Sequence, residues 1–288
     1  MAVTKVPVGD GVELCVETYG DPGDPAILLI AGATGSMDAW DPGLCERLAD
    51  GRLMIRYDHR DTGQSTAWPV GEPGYTGEDL GLDALRVLDG LEIAAAHLVG
   101  VSMGGGISQD LAVRFPDRVL SLTLIATTAA FERADATALP RPSPEVMAVL
   151  SQEDFDDWDD LDAVVEEQVR VERVFAGGRG IDEDRVREAA RHTVARTPDV
   201  HAAVVNHWQV IGGGGGSEEE PHRVDEITQP TLVVHGSDDP MLPLPHGQAL
   251  AAEIPDATLL VVDGMGHSHP PPPSWDQVVP AIHTHTAR

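Results

Sequence analysis

Lysine is nearly absent from this chain. Lys5 is the only one in 288 residues, and with 19 basic against 48 acidic side chains the formal charge is −29. Such a surface has nothing with which to hold a phosphate backbone, so nucleic acid is excluded as a partner class, and its field repels anions at long range. Cysteine is almost as scarce. Cys15 and Cys45 fall in separate expected elements without metal-like spacing, which argues against a disulfide framework and leaves two free, buried thiols. No run of eighteen apolar residues occurs, so no membrane span is expected. The opening stretch MAVTKVPVGDGVELC has no charged segment followed by an apolar one, and the chain is read as a soluble, cytoplasmic protein without a signal peptide.

What is present is an alternation of short apolar runs and helical patterns. Runs at 11–18, 26–31, 52–57, 95–101, 119–126, 230–236 and 258–263 have strand length and are bounded by Gly, Pro or Asp. Several are apolar without alternation, as in strands covered on both faces within a mostly parallel sheet. Between them, 78–91 puts Leu80, Leu82, Leu85, Leu88 and Leu91 on one face, and a second helix is expected over 104–114. The fold class is α/β. From residue 129 to residue 227 the alternation stops. There 153–175 spaces Phe155, Trp158, Leu161, Val164, Val165, Val169 and Phe175 as one helix, and GGGGGSEEE at 212–220 reads as a joint. We therefore expect a core of 1–128 and 228–288 with a helical lid over 129–227.

One stretch carries chemistry. LVGVSMGGG, residues 98–106, sets Ser102 between Gly100 and Gly104, after a strand and before a helix. The G-x-S-x-G signature in that context makes a sharp turn that lifts the hydroxyl above the carboxyl edge of the sheet and aims the first amides of the helix at the same space. A hydroxyl is a poor nucleophile unless a base takes its proton and a third group orients the base. Both partners should follow later in the chain, each in a loop after a strand. The strand TLVVHG is followed by SDDPMLP, and the strand TLLVVDG by MGHSH. Asp239, just before Pro240, is preferred to Asp238 as the acid. His267 is preferred to His269 as the base, because the PPPP run beyond His269 is stiff. His192, His201, His207, His283 and His285 are assigned surface or core roles. The HTH near the C-terminus has no companion carboxylate, so no metal site is expected. An oxyanion would be held by the backbone N–H of Met103 and by that of Ala33, in the loop AGATGS at 31–36. Met37, Trp40, Phe131, Trp158, Trp208, Met241 and Met265 are candidates for an apolar substrate pocket.

With AGA after one strand, YDHRDTGQST at 57–66 after the next, then GVSMGG, HGSDDPMLP and GMGH, the chain resembles an α/β-hydrolase. Within that superfamily YDHRDTGQST, DPMLPLPHG and DGMGH are most similar to the aclacinomycin methylesterase group, enzymes that hydrolyse a methyl ester on anthracycline polyketides. That group often has His before the Gly of the oxyanion loop; here Ala31 takes its place, which touches loop support more than a backbone donor. Asp58, Arg60 and Asp61 are read as a tight turn tied by Arg–carboxylate pairs. The resemblance implies a cofactor-free serine hydrolase acting on a small, largely apolar ester. Other chemistry on the same three residues stays open: lactonase, peptidase, C–C hydrolase, perhydrolase or cofactor-free oxygenase. A binding protein that has lost catalysis is a further alternative, though such a chain would be expected to lack the His or the acid. Ser at position 102 argues against an epoxide hydrolase or haloalkane dehalogenase, which need a carboxylate nucleophile.

Overall fold

A computed structural model describes residues 2–151, 155, 157–212 and 222–287. Its strands are β1 (Ala2–Gly9), β2 (Val12–Tyr19), β3 (Ala26–Ile30), β4 (Leu53–Tyr57), β5 (Ala96–Val101), β6 (Val119–Ile125), β7 (Thr231–Gly236) and β8 (Ala257–Val262). They form a single sheet in the order β1-β2-β4-β3-β5-β6-β7-β8, in which β2 alone runs against the others. The seven expected strands are found within a residue or two of their expected bounds. β1 was not anticipated. Lys5 and Pro7 interrupt its apolar pattern, and a Pro is tolerated there because β1 pairs on one side only.

Helices α1 (Pro42–Leu48), α2 (Gly77–Gly90), α3 (Met103–Arg114), α8 (Pro245–Glu253) and α9 (Trp275–His285) flank the sheet. Strands β3, β4 and β5 are buried at every position, Arg56 and His97 included, and two core layers lie on opposite faces of the sheet. Leu28 and Ile30 serve one layer, Ile27 and Leu29 the other, following the two-residue period of a strand. Cys15 and Cys45 are buried and free. Among the described residues no helix is long and apolar enough to cross a membrane.

Between β6 and β7, among the described residues, lie the α-helices α4 (Pro144–Leu150), α5 (Leu161–Phe175), α6 (Glu183–Arg196) and α7 (Val200–Gly212). Here the sequence expectation needs correction. The helix expected to begin at 153 begins at Leu161, because the Asp160 carboxylate accepts from the amides of Asp162 and Ala163 and so caps a new helix. Phe155 and Trp158 pack from outside that helix onto a small separate core of Val164, Val165, Ala190 and Val194. Of the expected glycine joint only Gly212, the last residue of α7, falls within the described residues.

The inserted helices meet the carboxyl ends of the strands. Ser143 N–H donates to the Pro240 carbonyl (2.7 Å) beyond β7, and Gly178 N–H to the Asp238 carboxylate (3.0 Å). On the other side Arg196, at the end of α6, binds Asp58 (2.7 Å) and Asp38. Asn206 of α7 donates to Asp61 (3.0 Å). The turn at 58–65 is tied as expected, though by partners the sequence did not reveal: Arg60 makes a two-pronged contact with Asp83 on α2 (2.7 and 2.8 Å), while Asp58 takes its Arg from α6.

Candidate active site

The sheet order reverses between β3 and β5, and in open α/β sheets the crevice beyond the carboxyl ends at such a point is where ligands bind. Both strands end there in tight turns. After β5, Ser102 has φ 53° and ψ −115°, a strained backbone for any side chain, and α3 starts at the next residue. The glycines of the signature are forced by close approach: a Cβ on Gly104 would fall on the Ile30 carbonyl, and one on Gly100 on the Gly104 carbonyl. Gly106 differs, because a Cβ there would meet nothing within 4 Å. We expect Gly104→Ala to destabilise the protein by ~2 kcal/mol or more, since helix and strand must part. Gly106→Ala should instead stabilise it by ~0.5–1 kcal/mol through helix propensity. Urea unfolding of the two variants checks the contrast, and similar midpoints would contradict it.

The Ser102 hydroxyl lies 3.1 Å from His267 Nε2, and His267 Nδ1 lies 2.9 Å from Asp239 Oδ2. Asp239 is fully buried in its side chain, and its other oxygen accepts from the amides of Met241 (2.9 Å) and Leu242 (2.8 Å). That fixes the carboxylate as an acceptor toward the ring, so the proton of a neutral His267 sits on Nδ1 and leaves Nε2 free to take one from the hydroxyl. Asp238 lies elsewhere, with Ser237 Oγ (2.7 Å) and the Gly178 amide (3.0 Å). His269 lies edge-on to Trp40 with ring centroids 4.5 Å apart, and burial holds its pKa down to about 4. His235, also kept below its usual pKa by burial, donates from Nε2 to the Leu242 carbonyl (2.7 Å) and so stiffens the Asp239 loop.

Facing the hydroxyl is the turn after β3. Gly35 N–H donates to the Gly32 carbonyl (3.1 Å), and Thr34 has φ +60°, which makes residues 32–35 a turn of type II form with a non-glycine at its left-handed position. Gly32 stands close enough that a Cβ on it would touch Ser102 Cβ at 3.6 Å. Within the described residues, the backbone N–H groups of Ala33 and Met103 donate to no protein acceptor. Two free amides on adjoining turns beside a hydroxyl are what an oxyanion requires.

The expected pocket residues are scattered. Trp40 and Met265 are buried within the core layer on one face of the sheet, and Met37 is buried as well. In the structure all three are packed as ordinary core side chains. Sequence cannot separate the two roles, because a core and a pocket wall demand the same apolar side chains. Phe131 packs against the opposite core layer and edge-on to His222, and Trp158 stacks on His201 within the inserted helices. Trp208 is exposed, while Met241 is half-buried beside Asp239. What the sequence did not mark is the last turn of α5. The Phe175 carbonyl accepts from His267 N–H (2.9 Å), and its ring centroid is 5.8 Å from the imidazole. Three residues earlier stands Glu172, an exposed carboxylate close enough to His267 for the two to interact electrostatically. His207, read as a surface or core residue, lies beneath the 32–35 turn and bonds to it.

Known proteins resemble this chain in sequence and fold. A family model described as alpha/beta hydrolase fold matches residues 25–168, and one described as TAP-like protein matches 203–280. The rhodomycin D methylesterases DnrP of Streptomyces peucetius and DauP of Streptomyces sp. (strain C5) are each 34% identical to this chain, over 93% of it and 93% of their own length. Among solved structures, a 2-hydroxy-6-oxo-6-phenylhexa-2,4-dienoate hydrolase (BphD) from Rhodococcus sp. strain RHA1 superposes with a TM-score of 0.75 at 20% identity, covering 100% of this chain and 99% of that one. The last likeness concerns the fold alone.

Proposed function

The chain belongs to the α/β-hydrolase family, and on that premise we propose that it hydrolyses a carboxylic ester, a methyl ester of a polycyclic polyketide being the substrate class its relatives support. The observation that carries this reading is the unbroken chain from hydroxyl to imidazole to buried carboxylate, at 3.1 and 2.9 Å, beside two free amides. Ser102 Oγ attacks the ester carbonyl while His267 Nε2 takes its proton, and the amides of Ala33 and Met103 hold the oxyanion. The intermediate collapses with cleavage of the carbonyl–alkoxy bond, and His267 returns the proton to the departing alcohol. Water then repeats the sequence: His267 takes one of its protons, the hydroxide adds to the acyl carbon, and Ser102 leaves with its proton restored. No cofactor takes part in any of these steps. The helices between β6 and β7 serve as the lid over the acyl site, with Phe175 and Glu172 at its inner edge.

The test pairs product analysis with labelling. Incubation with methyl esters of polycyclic aromatic acids should release methanol and acid in equal amounts, and an alkyl phosphonate should add once, on Ser102. Cleavage of an amide or a diketone while every ester is left intact would redirect the reading to another reaction on the same residues, and a phosphonate on any other side chain would move the nucleophile.

A further inference from the structure

The turn that would hold the oxyanion is conformationally expensive, and the reason it persists lies in the inserted helices. Thr34 occupies the left-handed region at the third position of the 32–35 turn, a place that favours glycine and that a β-branched residue adopts at a cost. Its N–H donates to Nδ1 of His207 (3.0 Å), a side chain that lies 173 residues away on α7. Nε2 of the same ring donates to the Arg60 carbonyl (2.8 Å), and the residue is completely buried. A ring that donates from Nε2 and accepts at Nδ1 has only one possible neutral tautomer, and burial, which keeps His207 below its usual pKa, maintains the lone pair on Nδ1. The other end of the loop is held by a second buried ring acting in the opposite sense: His59 Nε2 donates to the Ala31 carbonyl (3.2 Å), and burial lowers its pKa to about 3. The two rings lie 5.9 Å apart, centroid to centroid.

We infer that His207 is a positioning residue for the oxyanion turn: by engaging the Thr34 amide it holds the turn open, so that the Ala33 amide is left to point at the acyl site, and it makes that geometry depend on the seating of α7. The inference rests on the ester-hydrolase reading for its consequence in turnover, though not for the contact itself.

Two substitutions separate the two bonds of the ring. Asn places an amide oxygen where Nδ1 was and can accept from Thr34, whereas Gln reaches the Nε2 position, donates to the Arg60 carbonyl and leaves Thr34 without an acceptor. With an activated acetate ester, His207→Gln should lower kcat by ~10–100-fold, short of the ~100–1000-fold that follows outright loss of an oxyanion donor, with KM within about twofold. His207→Asn should keep kcat within about threefold of wild type. Adding Thr34→Gly to His207→Gln should recover at least about fivefold, since Gly takes the left-handed conformation without help. Equal losses in both single variants, a loss confined to the Asn variant, no loss in either, or a change carried by KM alone would overturn the inference. Wild-type protein provides a reading independent of activity and of variant folding. Nitrogen chemical shifts of the His207 ring should report a proton on Nε2 and none on Nδ1, and the opposite tautomer would overturn the clamp. Failure of wild type to cleave any ester would count against the proposed function and leave the tautomer result standing.

Discussion

Ser102→Ala should lower ester turnover on the order of 10⁴- to 10⁶-fold while leaving the unfolding midpoint near that of wild type. The expectation of an intact fold comes from the backbone. Ser102 N–H donates to the Ile125 carbonyl (3.0 Å), and its own carbonyl accepts from Thr127 Oγ (2.8 Å) and from the Gly105 and Gly106 amides. None of these involves the hydroxyl, and Ala fills the same space at the same strained φ. What is lost is one oxygen, 3.1 Å from His267 Nε2. The residual rate is then that of water oriented by the two amides and the imidazole. Single-turnover kinetics with an activated ester reads the outcome, and activity within tenfold of wild type would remove Ser102 from the nucleophile's role.

Asp239→Asn should cost on the order of 10⁴-fold in kcat, and the structure gives a reason for so large an effect from a change of one atom. The amides of Met241 and Leu242 both donate to one carboxylate oxygen, so an Asn would keep its oxygen there and turn its NH₂ toward His267. That NH₂ donates to Nδ1, which drives the ring proton to Nε2 and points it at the Ser102 hydroxyl. The imidazole is then protonated on the face that should act as the base. Asp238→Asn is the control: Asp238 meets Ser237 and Gly178 rather than the ring, and its variant should stay within about threefold. The reverse ranking in kcat would move the acid to Asp238.

The parts of this architecture that were legible in the sequence are those imposed by local chemistry. A strand buried on both faces is mostly apolar, so AILLI, LMIRY and AHLVGV announce themselves, with Arg56 bonded to Glu17 and His97 to Ser121 as the buried polar exceptions. A helix packed one carbonyl away from a strand has to be glycine at the contact, so Gly100 and Gly104 mark Ser102. The acid and base are found by position alone, each following a strand. Illegible were the features set by contacts between distant segments. The start of α5 depends on which of several aspartates in DFDDWDDLD does the capping, and the composition of that stretch treats them alike. Lys5 and Pro7 hide β1, because an edge strand is allowed to break the pattern. His207 sits between Asn206 and Trp208 with nothing local to distinguish a clamp from a core histidine. Its partner is a backbone amide in a turn 173 residues earlier in the chain.

The Phe175 carbonyl, which accepts the His267 amide, and the Gly177 backbone, which lies so close to Gly264, Met265 and Gly266 that no Cβ fits, have a bearing on how such enzymes diversify. Substrate preference in a modular enzyme is changed most readily by recombination, in which the specificity segment is exchanged and the chemical segment is retained. Here the seam is not clean. A crossover placed at the ends of the inserted helices would replace the backbone on which the histidine loop rests. Viable exchanges are therefore those that inherit residues 175–178 with the recipient's 264–267, and the junctions that leave both partners of this contact in one parent lie inside the insertion, before residue 175 or after residue 178, rather than at its borders.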